Sequence, residues 1–124
     1  MAKNFKALAN AQTIISELMN GRDKLTTADV IAKYPNGATI ADFDIVEYVD
    51  DAGEIKEYCV LVFNDDDTKF YCGGALLTKI VKSWVGTDDI IVVRDEYKAS
   101  EPVTVKLSLA RTKRNNNITK VEIL

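Results

Sequence analysis

Near the C-terminus, Arg111, Lys113, Arg114 and Lys120 surround Asn115, Asn116 and Asn117, and Lys106 precedes them on an alternating stretch. Basic side chains gathered on one turn can grip a phosphate backbone, and asparagines let the turn bend because they tolerate left-handed backbone angles. Two further pairs, Lys56 with Tyr58 and Lys69 with Tyr71, are each spaced i, i+2. On a strand that spacing puts both members on one face. A cation for the phosphates beside an aromatic ring for a base is the combination that binding a single nucleic-acid strand without reading its sequence requires. The candidate binding residues are therefore Lys56, Tyr58, Lys69, Tyr71, Lys106, Arg111, Lys113, Arg114 and Lys120.

Other chemistries lack their residues. The chain has no histidine, which removes histidine general bases, histidine-ligated zinc and Cys-His nucleophiles. Its two cysteines, Cys59 and Cys72, cannot complete a four-thiolate metal site. Both sit in apolar, strand-like runs and read as small buried hydrophobes; a disulfide between neighbouring strands is the alternative, disfavoured in a reducing cytosol. The 19 carboxylates include no pair marked out as acid and base. The run Asp65-Asp66-Asp67 lacks the spacing and terminal glutamate of a calcium loop. Gly73-Gly74 lacks the Lys-Ser/Thr of a phosphate loop and reads instead as close strand-to-helix packing. The expectation is a protein that is not an enzyme, with no metal site and no cofactor.

Charge is distributed unevenly. Residues 98–124 hold six basic residues against Glu101 and Glu122, an excess of four, whereas the whole chain of 124 residues carries −3. The acidic remainder includes Asp50-Asp51, Asp65-Asp66-Asp67 and Asp88-Asp89, which would repel phosphate if they bordered a binding groove. That opens a second reading: a protein-binding module whose acidic surface mimics DNA, or an inhibitor or accessory of a nucleic-acid enzyme. No apolar run reaches the roughly 18–20 residues of a membrane span. The N-terminal Met-Ala-Lys-Asn-Phe-Lys has no apolar core of a signal peptide, so the expected location is the cytoplasm of a bacterial cell, with no membrane partner.

The elements that position these residues can be read from periodicity. Residues 2–20 place Phe5, Leu8, Gln12, Ile15 and Met19 on one helical stripe, with Gly21 as a stop. Thr26 with Asp29 forms a capping-box pattern for a short helix at 27–33, ended by Pro35. From Ala38 the pattern turns to strand. Residues 38–49 shift phase between Phe43-x-Ile45 and Val46-x-Tyr48, which predicts a bulge there. Strands at 55–63 and 68–73 follow, joined by turns at 50–54 and 64–67. Leu76, Leu77, Ile80, Val81, Trp84 and Val85 form a helical stripe that Gly86 stops. Residues 88–98 are ambiguous, their Ile-Ile-Val-Val run favouring a strand over a further helix. Two alternating strands, 102–110 and 118–124, close the chain as a hairpin.

Three meandering strands, a helix and two more strands is the order of an oligonucleotide-binding (OB) fold. The fold class expected is α+β: a five-stranded, Greek-key, OB-like barrel over 38–124, with one helix between its third and fourth strands, preceded by an N-terminal helical extension over 1–37, in one compact unit. On "YPNGATIADFDIVEY" (34–48), "LVFNDDDTKFYCGGALLTKIV" (61–81) and "VKLSLARTKRNNNITKVEIL" (105–124), the chain resembles the single-stranded DNA-binding proteins of tailed phages and mobile elements of Gram-positive bacteria. The resemblance implies non-catalytic binding of single-stranded DNA in phage or mobile-element replication or recombination. The N-terminal helices lie outside the barrel so matched; the first of them is the expected surface for a homo-oligomer or protein partner.

Overall fold

The computed structural model describes residues 16–111, 113, 114 and 117–124. Among these residues six strands form one curled, mixed sheet in the order β1-β4-β3-β2-β5-β6. They are β1 (Asp23–Leu25), β2 (Ala38–Val49), β3 (Ile55–Phe63), β4 (Asp66–Cys72), β5 (Thr104–Arg111) and β6 (Asn117–Ile123). Among the described residues three α-helices accompany them: α1 (Thr27–Lys33), α2 (Ala75–Val85) and α3 (Ile90–Lys98).

The curl originates in β2. Its first residues, Ala38 and Thr39, pair with β5, and the rest of the strand pairs with β3. Ile40 and Phe43 are both fully buried in the same core although three residues apart. Strict alternation cannot do that. The register slips between Ile40 and Asp42, so the bulge lies before the expected phase change at Ile45–Val46. A bulged strand bends, and this one turns the sheet into a half-barrel. The sheet is not closed: among the described residues β6 pairs with β5 and β1 with β4, and these two strands are its edges.

Six strands rather than five, and two helices rather than one between β4 and β5, correct the expected barrel. The extra strand, β1, pairs parallel to β4 with Lys24 opposite Phe70. The extra helix is α3. Asp89 caps it by accepting a hydrogen bond from the Ile91 amide. Ile90, Val93, Arg94 and Tyr97 face inward at helical spacing, while Ile91 and Val92 are exposed. Cap and inward stripe outweigh the strand preference of the β-branched run.

The inner face of the sheet carries Phe43, Cys59, Leu61, Phe63, Tyr71 and Leu107, covered by Leu77 and Val81 of α2 and Val93 of α3. Phe43 makes edge contacts with Trp84 and Tyr97 at ring distances of 5.4 and 5.3 Å. Leu25, Val30 and Tyr34 belong to the same core, so residues 23–34 are built into the domain rather than appended to it. A side-chain carbon at Gly73 would collide with Cys59 Sγ and Leu77 Cβ, whereas one at Gly74 would meet nothing. The close strand-to-helix approach rests on the first glycine alone. Of the expected N-terminal helix, residues 1–15 lie outside the described residues, and Glu17–Met19 form a single 3₁₀ turn.

Candidate nucleic-acid interface

The outer face of β2, β3 and β4 holds a second apolar cluster of Val46, Val60, Val62 and Phe70, against which Leu18 packs. Toward the β2–β3 turn this face opens. Val46 is opposite Tyr58 and Tyr48 opposite Lys56, so the two tyrosines meet on the diagonal, with ring centroids 5.7 Å apart. Tyr48 is 39% exposed and Tyr58 half-buried. Burial pushes the Tyr58 hydroxyl above its ordinary range. Lys56 stands beside them, its ammonium 3.1 Å from Glu54 Oε2, a contact that raises its pKa. The Cys72 thiol borders the same cluster; burial raises it, and the charge of Lys24 on β1 partly offsets the rise.

Tyr48 and Lys24 were not among the expected binding residues. The signal for Tyr48 was its i, i+2 spacing from Val46, opposite the Lys56–Tyr58 pair. Lys24 has no such signal, because its position depends on a three-residue parallel pairing.

The second Lys–Tyr pair does not serve as expected. Leu61 is opposite Tyr71, which sets Tyr71 on the inner face. The ring is 2% exposed, stacks on Phe63 at 6.3 Å, and its hydroxyl shares a 2.8 Å hydrogen bond with Thr27. Tyr71 is thus a core aromatic, not a stacking platform. Lys69 lies in the middle of β4 and pairs with Asp23 at 3.2 Å.

On the last hairpin, Lys106 is opposite Glu122 and Lys120 opposite Ser108, all on the face turned from the core. Lys120 is 3.2 Å from Glu122 of its own strand. Lys113 and Arg114 are exposed at the tip. The Arg111 side chain lies outside the described part of the structure, as do residues 112, 115 and 116. The tip is remote from the tyrosine pair. β5 runs antiparallel to β2 from a pairing at Ala38–Thr39, so residues 106–111 extend beyond the start of β2, whereas Tyr48 lies at its far end. Lys56 and Tyr58 on one side, and Lys106, Lys113, Arg114 and Lys120 on the other, therefore lie at opposite ends of β2, not in one trough.

Acidic groups flank the first patch. Asp50 closes the β2–β3 turn by accepting hydrogen bonds from the Ala52 and Glu54 amides at 3.0 and 2.9 Å. Elsewhere charge serves the fold. Arg94 forks onto Asp42 with bonds of 3.0 and 2.8 Å and reaches Glu17 at 2.9 Å, and Lys98 approaches Asp42 at 3.3 Å. Burial raises the Asp42 carboxyl, but Arg94, the Phe43 amide and Lys98 more than offset it, holding it below the usual carboxylate range. Cys59 and Cys72 are unbonded thiols on opposite faces of the sheet, which explains why no bridge joins them.

Between the free side of β6 and the start of α2 runs a groove of about 380 Å³, lined by Thr27, Tyr71, Leu76, Leu77, Thr119 and Val121. Among the described residues no cluster of histidine, cysteine or carboxylate groups has metal-binding geometry, and no helix is long and apolar enough to cross a membrane. No family model, curated protein or solved structure matches this chain.

Proposed function

We propose that this chain is a non-catalytic binder of single-stranded DNA, acting in phage or mobile-element replication or recombination. In this reading β2–β6 form an OB-like Greek-key unit: three meandering strands, with the last hairpin added beside the first of them. The observation that carries the reading is the Tyr48–Tyr58 pair, solvent-facing on the outer side of the sheet beside Lys56. Two rings at this spacing offer a stacking surface, and Lys56 offers a charge for the neighbouring phosphate. A strand laid along β2 would leave the tyrosines and meet Lys106, Lys113 and Arg114 beyond its other end.

The test is titration of the full chain with labelled oligo-dT at two salt concentrations. Binding should weaken as salt rises, with a log–log slope of about 0.7 per phosphate neutralised. Tyr48→Ala should lose about 1–3 kcal/mol of binding, the range for a stacked base. Lys113→Ala with Arg114→Ala should lower the salt slope by about one to two phosphates while leaving stacking intact. An unchanged affinity in both variants would move the site elsewhere.

A specific observation favours a second reading, the protein-binding module. Lys56, Lys69 and Lys120 are each neutralised by a carboxylate within 3.2 Å. Cations so engaged contribute less to phosphate attraction. The same titration separates the two readings: no binding even at low salt supports the protein-binding module.

A further inference from the structure

The outer edge of β6 is complementary to itself. Leu124 donates its amide to Thr104 of β5 at 2.9 Å, so the even-numbered residues of β6 turn their backbone groups toward β5. The backbone groups of Thr119, Val121 and Ile123 therefore point away from it. A groove borders Thr119 and Val121 on that side. An exposed edge strand is a template for another strand, and chains that avoid such pairing place unanswered charges there. Here the charges answer each other.

We propose that two copies of this chain pair through antiparallel β6 strands about a two-fold axis at Val121. Val121 then faces Val121 of the second copy, and Thr119 faces Ile123, each through outward backbone groups that can bond. The intervening positions bring side chains closer, as they do in non-hydrogen-bonded pairs. At those positions Lys120 faces Glu122 of the second copy, Glu122 faces its Lys120, and Ile118 faces its Leu124. All four even positions find a partner of matching chemistry. Shifting the axis by one residue, to Lys120 or to Glu122, sets like charges face to face, and a shift to Thr119 or Ile123 loses both Lys–Glu pairs. The side chains it uses are available. Ile118 and Leu124 are 47% and 61% exposed, and the Lys120 and Glu122 side chains are 59% and 43% exposed. The pairing joins two six-stranded sheets into one and places two basic hairpins beside each other. It requires no DNA and stands whether or not the chain binds it.

Sedimentation equilibrium of the full chain tests the proposal. The wild type should show a concentration-dependent monomer–dimer equilibrium. K120E and E122K should each weaken dimerisation on the order of tenfold or more, because each sets like charges opposite one another twice. The double variant K120E/E122K restores every opposite-charge pair and should dimerise like the wild type. Mixing K120E with E122K should produce heterodimers, since each chain then supplies the charges that the other needs. A wild type that stays monomeric at every concentration overturns the proposal. So does dimerisation indifferent to the single substitutions, or a mixture that fails to associate. Thermal melts of each variant distinguish loss of pairing from loss of fold, and recovery in the mixture cannot arise from a misfolded chain.

Discussion

The β2–β3–β4 meander and the β5–β6 hairpin are written in similar alternating patterns, yet the fold treats them differently. The meander is buried on both faces: Phe43, Cys59, Leu61, Phe63 and Tyr71 inside, Val46, Val60, Val62 and Phe70 outside. The hairpin buries Val105 and Leu107 but leaves Leu109, Ile118 and Ile123 at 63%, 47% and 53% exposure. Alternation fixes which residues share a face. It does not say whether anything covers that face, because the cover comes from α2 and α3 inside and from Leu18 outside, which lean on the meander and leave the far half of the hairpin bare. Packing is thus concentrated in one region, and exposed apolar surface in the other.

The largest effect should come from cutting the meander's core. Phe43→Ala removes a fully buried ring that contacts Trp84 and Tyr97, and should cost about 3–5 kcal/mol. Leu109→Ala on the hairpin should stay within about 0.5 kcal/mol. Urea unfolding followed by Trp84 fluorescence measures both. Equal costs would erase the contrast between the regions.

The next largest should come from Asp42→Asn. It strips Arg94, whose side chain is only 12% exposed, of its forked partner, and should cost on the order of 2–3 kcal/mol, less than for a fully buried pair. The same site predicts a pH dependence. Asp42 has a lowered pKa in the fold, so its contribution is present above the unfolded carboxylate value of about 4 and is lost as pH falls through the lower folded value. Wild-type stability should fall between neutral pH and pH 3 more steeply than that of the variant. Parallel acid slopes would assign the acid sensitivity to other carboxylates.

A smaller effect tests the junction before the meander. Thr26 and Asp29 bond reciprocally, Thr26 Oγ1 to the Asp29 amide at 3.1 Å and Asp29 Oδ2 to the Thr26 amide at 3.0 Å. Thr26→Ala should cost about 1 kcal/mol, read as a small shift of the urea midpoint. No shift would mean that tertiary packing of Val30 and Tyr34 alone holds α1.

That cap also marks how far the sequence could be read. Thr26, Asp29 and Pro35 delimit α1 through local rules, as Ala75–Val85 follows from its stripe and Gly86. The misreadings occur where local signals conflict or where a non-local partner decides. Residues 90–98 carry a β-branched run, yet the inward stripe of Ile90, Val93, Arg94 and Tyr97 was present at helical spacing and a capping aspartate stood before it. β1 is three residues long and exists because β4 lies beside it, which local pattern cannot reveal. The site divides the same way. Lys56 and Tyr58 share an outward face as their spacing implied, whereas Tyr71, at the same spacing from Lys69, turns inward because Leu61 sets its register. Period two identifies a shared face but not which side of the sheet that face becomes.

The smallest effect is expected at Lys120, where the two regions differ most in what a charge does. Arg94 and Asp42 hold α3 against β2 with most of their surface hidden, so breaking them exposes an uncompensated charge to a poor solvent. Lys120 and Glu122 are i, i+2 neighbours on an open strand, and water replaces either partner at little cost. Lys120→Ala should therefore change the unfolding free energy of the monomer by less than about 0.5 kcal/mol, measured at a concentration low enough to keep the chain monomeric. If it instead costs as much as Asp42→Asn, the hairpin's charges are part of the scaffold. If it is silent in unfolding but weakens self-association, the ion pair on β6 serves recognition rather than the fold, and the contrast between Arg94–Asp42 and Lys120–Glu122 is one of role as well as burial.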